Sequence, residues 1–292
     1  MCHVDCPAPM ELTLAWRNAK WYRVLAFRSE HVVRLILVRR TPPTRAPRTP
    51  LLVLLIAVAL PISVYPWASS KSKSHAVIAE RAAACVGEPD FSNFIHKHVA
   101  ELRAGAVEPD LHKTCKSEST QPCRKDLGIS NHYYNLLDDK KGHDIDKVVE
   151  EFGKVGQLID QGKSGNTVAY ELGILAHFVS DISQPLHCGS NKTDKNEGKY
   201  HVKFEHARDK ADIATDQCSA KEITGDIRQW QLLNAEQSAP HYKEISDDYD
   251  NNNKLDGQAL SAFDAQWQKG VNEVADVFKT IYARHMDYFR TH

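Results

Sequence analysis

The chain has 292 residues, of which 37 are lysine or arginine and 38 are aspartate or glutamate, so its formal net charge is −1. This balance excludes binding to nucleic acid through overall positive charge, although local patches are compatible with it. Once the N-terminal region is set aside, the remaining length is that of one domain.

The N-terminal region divides into two parts. Residues 1–48 are rich in arginine and proline, and we interpret them as a basic leader without regular structure. The apolar run LLVLLIAVALPISV over 51–64 is too short to span a bilayer but typical of a secretory signal peptide. We therefore assign 49–66 to a signal-peptide and cleavage region. Because 1–48 is long for such a leader, either the true start lies further along or this stretch is a cytoplasmic leader.

Most of the remaining chain has apolar residues at helical spacing. The predicted helices cover about 75–86 with Ser74 as N-cap, 91–104 ending at Gly105, 144–161, 167–182, a short segment at 201–205, 219–237 and 259–289. Residues 106–143 are predicted to be irregular and 247–257 to be a solvated linker. No run of alternating residues predicts a strand, so we expect an all-α fold, a single compact multi-helix domain.

His177 and Asp181 are the most informative polar residues of the predicted helix 167–182. They are four residues apart, so both project from one helix face. An isolated pair of this kind is usually a surface hydrogen bond. Here the neighbours are apolar, and an uncompensated buried carboxylate would cost on the order of several kcal/mol. A bound divalent cation would compensate Asp181.

Three more residues of metal-binding types follow that helix. Gln184-Pro185 ends it, because proline lacks the amide donor, and His187 comes directly afterwards. His201 and Glu205 then repeat the four-residue spacing. Imidazoles and carboxylates are direct zinc ligands, so the stretch predicts a zinc site.

The pattern His177-x3-Asp181-x5-His187-x13-His201-x3-Glu205, with the string HFVSDISQPLH, resembles the core of the zinc-dependent phospholipase C and S1/P1 nuclease superfamily. The resemblance covers residues 67 to about 290. It implies an all-helical domain of the phospholipase C/P1 nuclease type that holds three zinc ions in a cleft, and it identifies 67–292 as a zinc-dependent phosphodiester hydrolase domain.

The same resemblance implies four ligands upstream of this core. The family uses the amino group and carbonyl of an N-terminal tryptophan and a histidine early in the first helix, which match Trp67 and His75. Its next ligands, an aspartate after a glycine-rich helix end and a histidine before aromatic residues, match Asp110 and His132. The implied ligand set is Trp67, His75, Asp110, His132, His177, Asp181, His187, His201 and Glu205.

The family pattern also implies how the ligands divide and what they do. One zinc would bind Asp110, His132, His177 and Asp181; a second would bind Trp67, His75 and the other oxygen of Asp181; a third would bind His187, His201 and Glu205. Two cations bridged by Asp181 would lower the pKa of a shared water, and the third would neutralise phosphate oxygens. We assign catalytic roles to Asp110 and Asp181, and no side-chain nucleophile is needed.

Two substrate classes fit the resemblance. Glu205, where the nucleases usually carry aspartate, and the short spacing from His187 to His201 favour phospholipid head groups. The string HYYN at 132–135 and the lack of an added lipid-binding domain favour an S1/P1-like single-strand nuclease or 3′-nucleotidase. A non-catalytic, zinc-binding secreted protein is the alternative of another class. Structural zinc sites have four protein ligands, whereas the third set here has three, which favours catalysis.

The predicted export affects three further expectations: which cysteines form disulfides, where the mature chain begins and where the protein is located. Five cysteines follow the signal region. Cys115 and Cys123 predict one disulfide, and Cys218 is predicted to pair with Cys85 or Cys188, which leaves one thiol.

Trp67 can offer its amino group only as the first residue of the mature chain. Pro66 disfavours direct cleavage there, so we expect trimming or an unusual processing site. We expect a secreted or periplasmic monomer with no membrane span after processing.

Overall fold

The computed structural model describes residues 10–16, 20–29, 32–39, 74–112, 124–137, 142–189, 201, 204, 218–252 and 254–292. The chain divides into two units, Met1–Ser63 and Val64–His292. Trp67, Glu205, Cys115 and Cys123 lie outside the described residues, as does the proposed cleavage region 49–66.

The first unit contains an antiparallel three-stranded sheet with strand order β1-β2-β3. The strands are β1 (Met10–Trp16), β2 (Lys20–Ser29) and β3 (Val32–Arg39). Met10 pairs with Ala26, and Ser29 pairs with Val32. The sequence analysis expected no regular structure in 1–48. The difference has a local reason, because β2 and β3 are rich in aromatic and β-branched residues, which favour strands.

The described secondary structure of the second unit is helical, which confirms the all-α prediction for this domain. Its helices are α1 (Ser74–Cys85), α2 (Pro89–Lys97), α3 (Val99–His112), α4 (Asp144–Asp160), α5 (Gly165–Ser183), α6 (Pro185–Cys188), α7 (Ile227–Ser238), α8 (His241–Asn252), α9 (Gly257–Arg284) and α10 (Met286–Thr291). Short 3₁₀ turns occupy Lys125–Leu127 and Ile129–Asn131. Within the described ranges, no helix is long and apolar enough to cross a membrane.

Helix α5 is the central helix of this unit. The hydroxyl of Ser164 caps its first turn by accepting from the Thr167 amide at 3.4 Å. Residues on every face of α5 are buried, and the helix packs against α1, α3, α4, α7 and α9. A helix enclosed in this way holds its polar residues in the protein interior.

Helices α3 and α5 approach each other at two glycines. A Cβ on Gly105 would lie 1.9 Å from the Tyr170 carbonyl oxygen, and one on Gly173 would lie 2.1 Å from that of Leu102. Gly105 therefore permits close packing and does not end a helix, which corrects the predicted boundary. Helix α3 continues to His112, so Asp110 lies in a helix and not in an irregular segment.

The C-terminal half differs from the sequence expectations at two places. The helix predicted over 219–237 begins only at Ile227, where the Asp226 side chain accepts from the Gln229 amide at 3.0 Å. The predicted linker 247–257 is helical up to Asn252. The predicted helix over 259–289 corresponds to α9 and α10.

The structure decides between the alternatives that the sequence left open for Cys218. Cys218 forms a disulfide with Cys85 at the end of α1. Cys188 is buried and is the free thiol among the described cysteines. This bond fixes the start of the segment 218–226 to α1, before α7 begins.

Candidate metal centre

Asp181 lies at the centre of a buried cluster of histidines. Its Oδ1 is 3.3 Å from His75 Nε2, while its Oδ2 is 2.9 Å from His132 Nδ1 and 3.2 Å from His177 Nε2. The three imidazoles come from α1, from the segment after the second 3₁₀ turn and from α5 itself. The two carboxylate oxygens therefore face different groups of nitrogen atoms.

Hydrogen bonds behind the rings of His177 and His75 fix the orientation of each ring. His177 Nδ1 lies 2.8 Å from the Ala106 carbonyl oxygen and donates to it. Ser180 Oγ donates to the His177 carbonyl oxygen at 2.9 Å, so it accepts from His75 Nδ1 at 2.8 Å. In neutral rings the protons are then on Nδ1, which leaves the Nε2 lone pairs directed towards Asp181.

The ring of His132 is held in a similar way but with the opposite nitrogen. Its Nε2 lies 3.3 Å from the Leu127 carbonyl oxygen, which accepts the ring proton. Its Nδ1 then presents a lone pair at 3.1 Å from His177 Nε2. Backbone carbonyls commonly orient histidine ligands of metals in this manner.

These atoms provide a test of whether a cation fits. His132 Nδ1, His177 Nε2 and Asp181 Oδ2 are 2.9–3.2 Å from one another, so three electron-rich atoms face a common point. Such atoms repel unless positive charge lies among them. Tetrahedral ligands of zinc are roughly 3.3 Å apart, so the donor set and its dimensions fit zinc closely.

Asp110 approaches the same cluster from α3. Its Oδ1 is 4.0 Å from His177 Nε2. Ligand atoms of His75, Asp110 and His177 lie within 4.8 Å of one another, and the same holds for His132, His177 and Asp181. The two overlapping groups share His177, which is consistent with adjacent cation positions.

A second pair of imidazoles lies beside this cluster. His187, in α6, contacts the His132 carbonyl oxygen through Nδ1, and the same atom is 3.9 Å from Asp181 Oδ1. The other ring nitrogen, His187 Nε2, is 3.0 Å from His201 Nε2. Because His187 Nδ1 donates to the carbonyl, its Nε2 lone pair faces His201.

The ionisation of Asp181 is set by two opposing effects. Burial raises its pKa, but when the rings are protonated in the metal-free chain, the positive charges of His177, His187 and His75 and a hydrogen bond from His132 outweigh burial and hold the pKa of Asp181 well below its usual range. A cation bound to the neutral rings would supply the same positive charge. Asp181 is therefore an anion at neutral pH, as a metal ligand must be.

The structure describes seven of the nine predicted ligands and brings all seven into one network of contacts. The remaining two are Trp67 and Glu205, which lie outside the described residues. The sequence analysis missed the supporting groups. Ser180 could have been found, since it precedes Asp181 on a helix, but the carbonyls of Ala106 and Leu127 have no signal in the sequence.

Comparisons with known proteins agree with this geometry. Residues 74–264 match the family described as zinc dependent phospholipase C. No curated protein matches the chain.

One solved bacterial toxin has a similar fold, and a second has a lower TM-score. For the alpha-toxin of Clostridium perfringens isolated from avian strain SWCP, the TM-score is 0.52 at 15% identity, and the alignment covers 76% of this chain and 66% of the toxin. For the alpha toxin of Clostridium absonum the TM-score is 0.47 at 15% identity, covering 75% and 64%. The chain thus spans less than two thirds of either toxin's length, and the likeness concerns the fold.

Proposed function

The chain belongs to the zinc-dependent phospholipase C family, and we propose that it is a secreted hydrolase that uses three zinc ions to cleave the phosphodiester bond between the glycerol and the phosphate of phospholipids. Family membership supports a zinc-dependent hydrolase of phosphoric esters. The observation that carries the proposal is the convergence of His75, His132 and His177 on the two oxygens of Asp181.

The proposed zinc sets are those implied by the family resemblance. The first is Asp110, His132, His177 and Asp181; the second is Trp67, His75 and Asp181; the third is His187, His201 and Glu205. Zinc bound there supplies a Lewis acid that lowers the pKa of water and stabilises negative charge on phosphate oxygens. The facing nitrogens of His132 and His177, and of His187 and His201, support the first and third sets.

The chain's own residues hold this arrangement before substrate binds. Asp181 remains ionised, and its two oxygens face different histidines, as required of a ligand shared by two cations. Ser180 and the Ala106 carbonyl fix the ring orientations of His75 and His177. Phe178 packs against the rings of His132 and His177, with centroid distances of 5.3 and 5.4 Å, and so excludes water from one side. A dry surrounding strengthens charge interactions within the site.

The proposed reaction adds water across one bond. The water oxygen bonds to phosphorus, the bond from phosphorus to the glycerol oxygen breaks, and that oxygen takes up a proton. Asp110 lies next to His177 at the edge of the cluster, and we assign its carboxylate the role of holding the proton released by the water. Diacylglycerol and a phosphorylated head group are the products.

A direct assay separates this proposal from its alternatives. The purified secreted protein, loaded with zinc, is incubated with phosphatidylcholine vesicles, single-stranded DNA, RNA and a 3′-nucleotide. We expect release of diacylglycerol and phosphocholine. The matched controls are Asp181→Asn, which should abolish release, and Asp247→Asn, an exposed aspartate of α8 paired with Lys243, which should leave it unchanged.

Two outcomes would overturn the proposal in different ways. Cleavage of nucleic acid without diacylglycerol release would establish the nuclease alternative, which the string HYYN at 132–135 favours. Inactivity on every substrate with zinc bound would favour the non-catalytic zinc protein. Elemental analysis of the same preparation is expected to find about three zinc ions per chain, and one or none would contradict the ligand sets.

The mature terminus is a separate part of the proposal. A free amino group at Trp67 can bind zinc together with its own carbonyl, whereas a peptide nitrogen has no available lone pair. We propose that the active chain begins at Trp67 and that the uncleaved precursor lacks the zinc bound by His75. Mass spectrometry of the secreted protein tests this, and an active form that begins well before Trp67 would rule out the terminal ligand.

A further inference from the structure

Cys188 is a buried free thiol next to a proposed zinc ligand. It is the last residue of α6, the four-residue helix that carries His187. A single helical turn is unstable by itself, so the position of His187 depends on the contacts that α6 makes with its surroundings. The side chain of Cys188 is fully buried and packs in a small apolar cluster with Ile145, Ile182, Ala235 and Ala239.

The thiol attaches α6 to the end of α5. Cys188 Sγ donates to the Ile182 carbonyl oxygen at 2.9 Å. Carbonyls in the last turn of a helix have no partner within that helix, and a buried carbonyl without a donor is costly. Ile182 directly follows Asp181. The thiol therefore satisfies a carbonyl beside the central ligand of the metal centre.

The backbone of α6 is attached to the segment that carries His132. The Cys188 carbonyl oxygen accepts from the Leu136 amide at 2.8 Å, and the His187 carbonyl oxygen accepts from the Tyr134 amide at 2.9 Å. His187 Nδ1 donates to the His132 carbonyl oxygen. Three hydrogen bonds therefore join α6 to this segment.

Close packing fixes the residue after α6 on another side. A Cβ on Gly189 would lie 2.6 Å from the Ala239 carbonyl oxygen and 2.7 Å from Tyr242 Cβ, so this glycine allows the chain to pass directly against the junction of α7 and α8. The Gly189 amide also donates to the Pro185 carbonyl oxygen at 2.8 Å and closes the turn of α6. The contact at Gly189 therefore limits movement of the whole helix.

The direction of the His187 ring depends on these contacts. Because Nδ1 donates to the His132 carbonyl, Nε2 carries the lone pair, and it lies 3.0 Å from His201 Nε2. A rotation of α6 would move Nε2 away from that point. Among the groups that fix α6, the Cys188 thiol is a side chain, so it can be removed without changing the backbone.

We propose that Cys188 is a positioning residue for the third zinc set, because its thiol holds α6 on α5 and keeps His187 Nε2 directed towards His201. The inference rests on the proposed function, which places zinc at His187, His201 and Glu205. Cys188 itself does not bind zinc, since its proton lies in the bond to the Ile182 carbonyl and a cysteine binds zinc only after losing that proton.

The test compares variants that remove or keep the donor of this bond. Cys188→Ala removes the donor, whereas Cys188→Ser keeps a donor of similar size. Ile145→Val is the packing control, because Ile145 lies in the same apolar cluster and the change deletes one methyl group without removing a hydrogen bond. His201→Ala identifies the zinc of the third set. Zinc is titrated into the metal-free secreted protein of each variant in competition with a chromophoric chelator.

We expect Cys188→Ala to weaken binding of one zinc by about 10-fold, because groups that orient metal ligands contribute about 10- to 100-fold to affinity. It should be the same zinc that His201→Ala loses. Cys188→Ser should bind every zinc as the wild type does. Urea unfolding of the metal-free chains should show a lower midpoint for both Cys188→Ala and Ile145→Val, but Ile145→Val should keep the zinc affinity of the wild type.

Three outcomes would overturn the positioning role. The first is unchanged zinc affinity in Cys188→Ala. The second is equal weakening in Cys188→Ser or Ile145→Val, which would make packing responsible and not the donated bond. The third is weaker binding of every zinc, which would indicate a general loss of structure. A wild-type chain that binds no zinc, or a His201→Ala chain that loses none, would refute the proposed function and this inference with it.

A second pair of variants tests α6 if Cys188→Ala does not fold. Gly189→Ala adds the Cβ that would meet Ala239 and Tyr242, so α6 must shift. Gly225→Ala is the matched control, because no atom lies within 4 Å of its added Cβ. We expect about 10-fold weaker binding of the third-set zinc in Gly189→Ala and no change in Gly225→Ala. Wild-type zinc affinity in a folded Gly189→Ala chain would show that the third set does not depend on the position of α6.

Discussion

Helix α5 carries two buried charge clusters, and they are neutralised in different ways. Around Glu171, the carboxyl groups of Glu151 and Glu171 contact Lys147 and Lys154, so the positive charges belong to the chain itself. Around Asp181, ten residues further along, the ion pairs in the described part of the chain are all with histidines. Lysine side chains supply positive charge directly, whereas the histidine nitrogens direct lone pairs to the point that the Asp181 carboxylate also faces.

This difference separates a structural cluster from a metal site. The Glu171 cluster is complete once the chain has folded, because Lys147 and Lys154 supply positive charge to the two carboxyl groups. In the Asp181 cluster the ring protons of His75, His132 and His177 are directed towards Ser180 and two backbone carbonyls, so the nitrogens facing the carboxylate are free to bind a cation. Changes in the first cluster should therefore alter stability, and changes in the second should alter zinc content.

Asp181→Asn should have the largest effect on zinc. The amide keeps the size of the side chain but removes the charge that two sets of histidines share. We expect zinc content to fall by about two ions per chain and activity by more than about 100-fold. Inductively coupled plasma mass spectrometry and the diacylglycerol assay measure both, with Asp247→Asn as the control. Full zinc content in Asp181→Asn would mean that Asp181 is not a shared ligand.

Lys147→Met should have the opposite effect, a loss of stability without a loss of zinc. It leaves Glu151 buried without its closest cation, which should lower the free energy of unfolding by about 3–5 kcal/mol. Zinc stoichiometry of the folded fraction should not change. Lys243→Met is the control, because Lys243 is 79% exposed and its pair with Asp247 should contribute less than about 1 kcal/mol. Loss of zinc ions in Lys147→Met would show that the two clusters are not separable.

Gly173→Ala should affect both properties, through the packing of α3. The added Cβ would meet the Leu102 carbonyl and the Ala106 amide, so α3 must move away from α5. We expect a loss of about 1–3 kcal/mol in unfolding free energy and weaker zinc binding, since the Ala106 carbonyl would no longer reach His177. The matched control is Gly153→Ala in α4, where no atom lies within 4 Å of the added Cβ. It should stabilise the chain by about 0.5–1 kcal/mol. If Gly173→Ala and Gly153→Ala changed the free energy of unfolding equally, α3 and α5 would not be in close contact at Gly173.

The sequence could predict the parts of the molecule that depend on local spacing. Helix α5 and the projection of His177 and Asp181 from one face follow from periodicity, and α4 was predicted to within one residue. The ion pair of Lys154 with Glu171 could not be predicted, because it depends on how α4 packs against α5. The sequence predicts a helix end at Gly105 because the approach of Tyr170 on α5 to this glycine is likewise not visible in the sequence. A glycine that permits close packing and one that ends a helix look identical until the neighbouring helix is known.

Ser180→Ala should have the smallest effect, and it distinguishes ligand orientation from general stability. Ser180 donates to the carbonyl three residues earlier and accepts from His75 Nδ1, so alanine removes one acceptor behind one ligand. We expect weaker binding of the zinc held by His75, by about 10-fold, and a stability loss of about 1 kcal/mol in the metal-free chain. Ser246→Ala is the control, because Ser246 makes the same bond to the carbonyl three residues earlier but hydrogen-bonds to no described histidine. Chelator competition should resolve one weakened zinc in Ser180→Ala and none in Ser246→Ala. If both variants lose the same stability and neither changes zinc affinity, the ring of His75 is oriented by something other than Ser180.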